Sequence, residues 1–163
     1  MTAKLIIIRG NSGSGKTTIA KALQKNLGTG ALLLSQDVIR REMLAVKDTA
    51  GNASIELIRH LAEYGRANYA YVIVEGILAK HKYGDMLHEL ITLFKDEAAV
   101  YYCDISFPET VRRHKMKGKA ADFGVAELEK WWLPADWLGE AGEKFLGEAL
   151  TLEESVAFIR AAL

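Results

Sequence analysis

The stretch Gly10-Asn11-Ser12-Gly13-Ser14-Gly15-Lys16-Thr17 directly follows the aliphatic run Leu5-Ile6-Ile7-Ile8. The eight residues match the pattern G-x-x-x-x-G-K-[ST] at every fixed position. In such a loop, backbone N–H groups point at phosphate oxygens at the start of a helix, and the dipole of that helix favours negative charge. We therefore predict a strand, a phosphate-binding loop at residues 10–17 and a helix from Thr17 to about Leu27.

The loop also predicts how a nucleoside triphosphate is held. Lys16 is expected to place its ammonium group near the β- and γ-phosphates, and the hydroxyl of Thr17 is expected to complete part of the coordination shell of Mg²⁺. The predicted cofactor is ATP with Mg²⁺, although switch GTPases and motor ATPases carry the same pattern. The residues expected to contact the cofactor are Asn11, Ser12, Gly13, Ser14, Gly15, Lys16, Thr17 and Thr18.

The remaining apolar runs predict an alternation of strands and helices. Runs similar to the first recur at residues 31–34, 71–74 and 98–102, and the segments between them have helical spacing. Short aliphatic runs are typical of strands buried on both faces of a parallel sheet. A capping box formed by Thr151 and Glu154 predicts a last helix. The pattern indicates an α/β fold built from βαβ units.

Composition and charge limit the classes of function. The chain has 163 residues, which fits a single domain spanning residues 1–163. Lys plus Arg and Asp plus Glu each number 21, so no global basic field attracts nucleic acid. Cys103 is the single cysteine and the four histidines lack the spacing of zinc ligands, so we expect neither an intrachain disulfide nor zinc. Without a long apolar segment or a signal-peptide pattern, a cytoplasmic protein with no membrane partner is predicted.

A carboxylate follows the second predicted strand. In Ser35-Gln36-Asp37-Val38-Ile39-Arg40, Asp37 is expected at the same edge of the sheet as the phosphate-binding loop. An aspartate near the magnesium ion can accept the proton of an acceptor hydroxyl, so Asp37 is the predicted general base and a candidate metal ligand. Arg40 lies three residues later and can reach an anionic group. The alternative is an aspartate that caps a helix and an arginine that faces solvent.

These motifs together resemble the small P-loop kinases. The resemblance covers residues 4 to about 133 and rests on the loop, the S-x-D-x-x-R element and Val72-Ile73-Val74-Glu75-Gly76. It is closest to the 5′-hydroxyl polynucleotide kinase module and to zeta-toxin-like and chloramphenicol-phosphotransferase-like enzymes. It implies a three-layer αβα fold with a parallel sheet of about five strands and a small helical lid. It also implies that Asp37 activates the acceptor hydroxyl, that Arg40 contacts the phosphate of the acceptor and that Glu75 helps to hold Mg²⁺.

A dense basic segment follows the fourth predicted strand. Residues 107–119 contain Arg112 and Arg113, and related kinases carry lid arginines at this place, which stabilise charge on the transferring phosphoryl group. Both arginines are candidates for this catalytic role, and the sequence does not rank them. The lid region is predicted at about residues 112–125, with a mobile loop at 117–124. The alternative is a solvated basic helix.

Other classes of nucleotide-binding protein fit less well. Asp48-Thr49-Ala50-Gly51 matches the D-x-x-G element of switch GTPases, but Asp48 does not follow a hydrophobic strand. No N-K-x-D or T-K-x-D sequence for reading guanine occurs downstream. A motor ATPase needs more chain than is present. The sequence therefore favours a phosphotransferase, with a nucleotide-binding switch as the alternative from another class.

The acceptor is predicted less specifically than the cofactor. The chain size and zero net charge favour a small hydroxylated molecule, whereas a nucleic-acid 5′ end stays possible because the lid is basic. Residues 45–66 are expected to build much of the acceptor pocket. Residues 127–138 carry three tryptophans and predict a helix whose indoles cover the core, or else a surface that faces the substrate.

Overall fold

Five parallel strands form the central sheet in the part of the chain that the computed structural model describes, residues 2–116 and 123–163. The strand order is β2-β3-β1-β4-β5. The predicted α/β class and the parallel sheet of about five strands are confirmed. The bounds of the strands are β1 Lys4–Gly10, β2 Ala31–Ser35, β3 Tyr71–Gly76, β4 Ala98–Asp104 and β5 Lys144–Gly147.

Helices cover both faces of this sheet. Their bounds are α1 Lys16–Leu27, α2 Gln36–Val38, α3 Ala53–Asn68, α4 Lys80–Phe94, α5 Phe107–Met116, α6 Val125–Trp131 and α7 Leu152–Arg160. A π-helical turn, Ile39–Met43, continues α2. No helix in the described ranges is both long enough and apolar enough to cross a membrane.

The sequence of β1 explains the three layers. Successive side chains of a strand point to opposite faces, and all four aliphatic residues of β1 are fully buried. Leu5 and Ile7 pack into the apolar layer under α3 and α4, and Ile6 and Ile8 pack into the layer under α1 and α7. Burying one such side chain contributes about 1.5 to 3 kcal/mol to folding. A run that is apolar on both faces therefore requires helices on both sides.

The register of the sheet places the ends of three strands together. Ser35 of β2 is opposite Glu75 of β3, and Ile8 of β1 is opposite the same Glu75 on its other side. Gly10 at the end of β1 lies opposite Cys103 of β4. The phosphate-binding loop, the residues after β2 and the end of β3 thus meet at one edge of the sheet.

The prediction of a helix over residues 127–138 is correct only as far as Trp131. Helix α6 ends at Trp131, and the backbone of Trp132 is already extended. The next residue, Leu133, precedes Pro134, and a residue before proline disfavours the helical conformation. Trp131 and Trp137 are 46% and 44% exposed, so they do not cover the core. Their rings lie 5.1 and 5.4 Å from those of Phe123 and Phe145.

Candidate active site

The loop between β1 and α1 depends on close backbone packing at Gly10. A Cβ atom at this position would lie 2.7 Å from Ser14 Oγ and 3.0 Å from Cys103 Cβ, which leaves no room for a side chain. Gly13 and Gly15 have φ angles of 78° and 90°, in the left-handed region that glycine adopts without strain. The glycines therefore fix the path of the loop, as the pattern predicts.

The start of α1 combines a helix N-terminus with a buried lysine. Gly15 is the N-cap residue of α1 and has no side chain to cap the first turn. The first N–H groups of a helix lack partners within the helix, so this end is suited to binding phosphate. Lys16 is buried, and its Nζ atom donates to the carbonyl oxygen of Asn11 at 3.1 Å.

A buried carboxylate lies against two hydroxyl groups at the sheet edge. The Oγ1 atom of Thr17 is 3.2 Å from each carboxylate oxygen of Glu75, and the Oγ atom of Ser35 donates to Glu75 Oε1 at 2.7 Å. Magnesium prefers oxygen ligands of this kind. Thr17 and Glu75, which were each predicted as metal ligands, thus lie in contact and offer oxygen atoms of this kind. Ser35 was not predicted as a site residue, although its register opposite Glu75 follows from two adjacent parallel strands.

Asp37 and Arg40 lie together after β2. Asp37 Oδ1 is 3.3 Å from Arg40 Nη2 and 3.1 Å from Arg41 Nε, and the Asp37 side chain is 59% exposed. The Arg40 side chain is only 11% exposed, and its Nη1 atom donates to Val46 O at 3.0 Å. Its buried Nε atom has no hydrogen-bond partner among the described residues. Arg40 is therefore held in place rather than solvated, and Asp37 makes no direct hydrogen bond to the Thr17–Glu75 pair within the described chain.

The two predicted lid arginines of helix α5 point to different surroundings. The Nη1 atom of Arg113 lies 3.4 Å from Ser14 O in the loop, and its Nη2 atom lies 3.3 Å from Glu148 O. Arg112 is 60% exposed and donates to both carboxylate oxygens of Glu109 at 2.7 Å. Hydrogen bonds from Arg112 and Arg113 lower the pKa of Glu109 to about 2. Arg113 is thus the arginine that contacts the phosphate-binding loop.

Arg9 was not predicted as a functional residue, yet it connects three segments of the site. Its guanidinium group is fully buried and donates from Nε and Nη2 to Leu78 O at 3.2 and 2.9 Å. The same group donates to Asp136 O at 2.7 Å and to Asp136 Oδ2 at 2.8 Å. Burial lowers the pKa of Arg9, and the Asp136 charge counteracts this effect. Arg9 thereby joins the end of β1 to the turn after β3 and to the segment after α6.

The side chain of Asn11 is bonded to a distant segment of the chain. Its side chain donates to Leu133 O at 2.9 Å and accepts from Leu133 N at 2.8 Å, so both amide atoms are used by the chain itself. Of the predicted cofactor contacts, Asn11 therefore offers only its backbone. The reciprocal pair also satisfies the backbone groups of Leu133 outside any helix, which stabilises the extended segment after Trp131.

Replacing Asp136 by alanine is expected to destabilise the fold. The change leaves the Arg9 charge buried, and removing one partner of a buried ion pair costs about 3 to 5 kcal/mol. We expect about 3 kcal/mol, the low end of that range, because the carbonyl groups of Leu78 and Asp136 still accept from Arg9. Urea unfolding measures the free energy, and Asp96→Ala on the surface is the matched control. Equal stability of the two variants would contradict this role of Asp136.

Two other sequence features gain a structural explanation. Asp48 lies in the loop between the π-helical turn and α3, where its carboxylate accepts from Tyr83 Oη at 2.6 Å, so it does not end a strand as the GTPase element does. Cys103 is buried in β4, and burial raises the pKa of its thiol to about 11.

Residues 117–122 of the predicted lid lie outside the described residues. Beside them, His114 Nε2 is 2.7 Å from Phe123 O.

Comparisons with known proteins agree with this architecture. The family model described as an AAA domain matches residues 5–131. No curated protein matches the sequence. Among solved structures, the APS kinase of Mycobacterium tuberculosis, in complex with AMPPNP and APS, has a TM-score of 0.67 at 18% identity, and the match covers 98% of this chain and 96% of that chain.

Two further structures show the same fold. A gluconokinase from Sinorhizobium meliloti 1021 matches with a TM-score of 0.66 at 18% identity, over 99% of this chain and 94% of its own. The shikimate kinase of Bacteroides thetaiotaomicron matches with a TM-score of 0.60 at 20% identity, over 98% of this chain and 97% of its own. The predicted resemblance to P-loop kinases is confirmed at the level of the fold. The chain therefore belongs to the AAA domain family and has the architecture of a small P-loop kinase.

Proposed function

We propose that this protein is an ATP-dependent phosphotransferase that moves the γ-phosphate to a hydroxyl group of a small molecule. The observation that carries the proposal is the meeting of three groups at one sheet edge. These are the loop with Lys16, the Glu75 carboxylate bonded to the Thr17 hydroxyl, and the Asp37–Arg40 pair after the adjacent strand. The similarity in fold to kinases of three small hydroxylated compounds supports this assignment.

The nucleotide half of the site is formed by the loop and by α1. The N–H groups of residues 13–16 would bind the phosphates, and Lys16 would approach the β- and γ-phosphates from the loop side. Thr17 and Glu75, oriented by Ser35, would hold Mg²⁺, which when bound neutralises charge on the β- and γ-phosphate oxygens. Arg113 lies against Ser14 in the loop, so its guanidinium group would be close to phosphates bound there.

The acceptor half of the site would supply the base. In the transfer, the acceptor oxygen forms a bond to the γ-phosphorus while the bond from that phosphorus to the bridging oxygen breaks. The proton of the acceptor hydroxyl passes to the Asp37 carboxylate, and the products are ADP and a phosphomonoester. The ion pairs with Arg40 and Arg41 would favour one orientation of this carboxylate before the acceptor binds.

A phosphotransfer screen tests the proposed function. ATP labelled on its γ-phosphate is incubated with the protein and with nucleosides, sugars, hydroxylated antibiotics and 5′-hydroxyl oligonucleotides, and the labelled product is separated. We expect label on a small molecule and none with the Lys16→Ala protein. Label on the oligonucleotides alone would instead identify a polynucleotide kinase. Preference for GTP, slow hydrolysis and no labelled acceptor would identify a nucleotide-dependent switch.

Arg113 and Arg112 are expected to differ in their effect on turnover. Arg113 contacts the loop, whereas Arg112 is directed at Glu109 and solvent. We expect Arg113→Ala to lower kcat by at least about tenfold, which corresponds to 1.4 kcal/mol of lost transition-state stabilisation. Arg112→Ala serves as the matched control and should leave kcat close to that of the parent. The reverse order in steady-state kinetics would assign the catalytic role to Arg112.

A further inference from the structure

A buried polar cluster lies beneath the acceptor half of the site. The Tyr83 cluster consists of five residues: Tyr83 from α4, Gln36 from α2, Asp48 from the loop before α3, and Asn52 and Ser54 at the start of α3. The Tyr83 hydroxyl donates to Asp48 Oδ1 at 2.6 Å and accepts from Gln36 Nε2 at 2.9 Å and Asn52 Nδ2 at 3.0 Å. Ser54 Oγ lies 3.3 Å away. One phenol therefore connects three elements and a loop.

The cluster is deeply buried except at Asp48. Tyr83 and Ser54 are fully buried, and Gln36 and Asn52 are nearly so. A buried donor or acceptor without a partner destabilises a structure, so a cluster of this kind allows few arrangements. Lys82 adds a contact from the surface, where its Nζ atom donates to Asp48 O at 2.7 Å. The position of Asp48 is thus fixed both from beneath and from outside.

The Tyr83 cluster is linked to both acceptor residues. Gln36 directly precedes Asp37, so the hydrogen bond from Gln36 to Tyr83 fixes the backbone that carries the predicted base. On the other side, Arg40 donates to Val46 O, two residues before Asp48. Arg40 therefore rests on the same loop that Tyr83 holds at Asp48. Tyr83 is thus connected to Asp37 through Gln36 and to Arg40 through the loop at Asp48.

The backbone between these attachment points is strained. Residues 39–43 form a π-helical turn, a form that is rare and frequent at functional sites. Ala45 has a φ angle of 52°, in the left-handed region that an alanine seldom adopts. Such conformations persist only where surrounding contacts enforce them. The contacts at Val46 and Asp48 immediately follow, and they supply this enforcement.

We propose that Tyr83 is a positioning residue for the phosphate acceptor: through Gln36 and the loop at residues 45–52, it sets the placement of Asp37 and Arg40. This inference rests on the proposed function, because it assigns the acceptor half of the site to these two residues. Tyr83 itself is fully buried, so it would act on the acceptor only through other residues. Its hydroxyl acts by holding the loop and α2 in fixed positions relative to each other.

Tyr83→Phe is the central test, because it removes the hydroxyl and keeps the ring. With the acceptor found in the screen, we expect KM for the acceptor to rise about tenfold or more, the size expected when buried hydrogen bonds lose a partner. The Kd of Mg·ATP should stay at the parental value, because the Tyr83 hydroxyl makes no hydrogen bond to Thr17 or Glu75 within the described residues. Tyr101→Phe is the matched control, since Tyr101 is equally buried and its hydroxyl has no partner among the described residues.

Asp48 variants give a second, independent measurement should the Tyr83 variant fold poorly. Asp48→Asn keeps an oxygen that accepts from the Tyr83 hydroxyl and should nearly retain the parental KM for the acceptor. Asp48→Ala removes that oxygen and should reproduce the effect of Tyr83→Phe. Parental KM values in both Tyr83→Phe and Asp48→Ala would overturn the inference, as would an equal loss of ATP affinity. A parent protein that phosphorylates no compound would overturn the proposed function and, with it, this role of Tyr83.

Discussion

Lys16→Ala is expected to weaken the binding of Mg·ATP by about 10²-fold or more, since a hydrogen bond to a charged group contributes up to about 3 kcal/mol and 1.4 kcal/mol is a factor of ten. Lys16 is buried under the loop, bonded to the carbonyl of Asn11. Its ammonium group is therefore already placed where the phosphates would lie, and little side-chain entropy remains to be lost on binding. Calorimetric titration of Mg·ATP into the variant measures the effect.

Lys21→Ala provides the matched control for this experiment. Lys21 is in the same helix α1 and is exposed, so its removal changes the net charge equally without altering the loop. We expect parental affinity in Lys21→Ala and little binding in Lys16→Ala. If both variants bind Mg·ATP as the parent does, residues 10–17 do not form the nucleotide site, and the proposed function loses its basis.

Asp37→Asn is expected to lower kcat by about 10² to 10⁴, the range that general bases contribute, while Mg·ATP binding stays close to parental. Asparagine keeps the size of the side chain but cannot accept the proton of the acceptor hydroxyl. Single-turnover transfer to the acceptor from the screen separates this chemical step from product release. Glu42→Gln, in the π-helical turn nearby, removes an exposed negative charge and serves as the control.

Two other outcomes for Asp37→Asn have definite meanings. A parental kcat would give Asp37 a structural role through its pairs with Arg40 and Arg41. A collapse of Mg·ATP affinity would instead make metal binding its main role, and Glu75 would become the next candidate for the base. The exposed position of Asp37 favours contact with an incoming acceptor over contact with a deeply bound metal.

The sequence predicts most of the fold because its strands are buried on both faces. The runs at residues 5–8, 31–34, 71–74 and 98–102 each lie within a strand of the sheet. In a chain of this composition, continuous apolar runs of this length are typical of strands buried on both faces of a sheet. Strand β5 was not located, because it is an edge strand of four residues and lacks such a run.

Within the site, predictions from local motifs succeed where contacts from distant segments do not intervene. The glycine pattern predicts the loop, since the backbone geometry of the loop is local. Arg9 contacts Asp136 and Asn11 contacts Leu133, each more than 120 positions away, and no spacing rule reaches that far. Ranking Arg112 and Arg113 requires the rotational position of α5 against the loop. That position is set by tertiary packing, including Thr110 against Gly13.

Two long-range contacts join the region of the phosphate-binding loop to the segment after α6, and they affect the order in which parts of the protein fold. Arg9 and Asp136 are 127 residues apart, and Asn11 and Leu133 are 122 residues apart. Contacts at such separation form late, because closing a long chain segment costs entropy before the contact repays it. During synthesis, residues 10–17 are made long before Leu133 and Asp136, which contact Asn11 and Arg9. The region of the phosphate-binding loop therefore gains its contacts with Leu133 and Asp136 only after the segment that follows α6 has been synthesised.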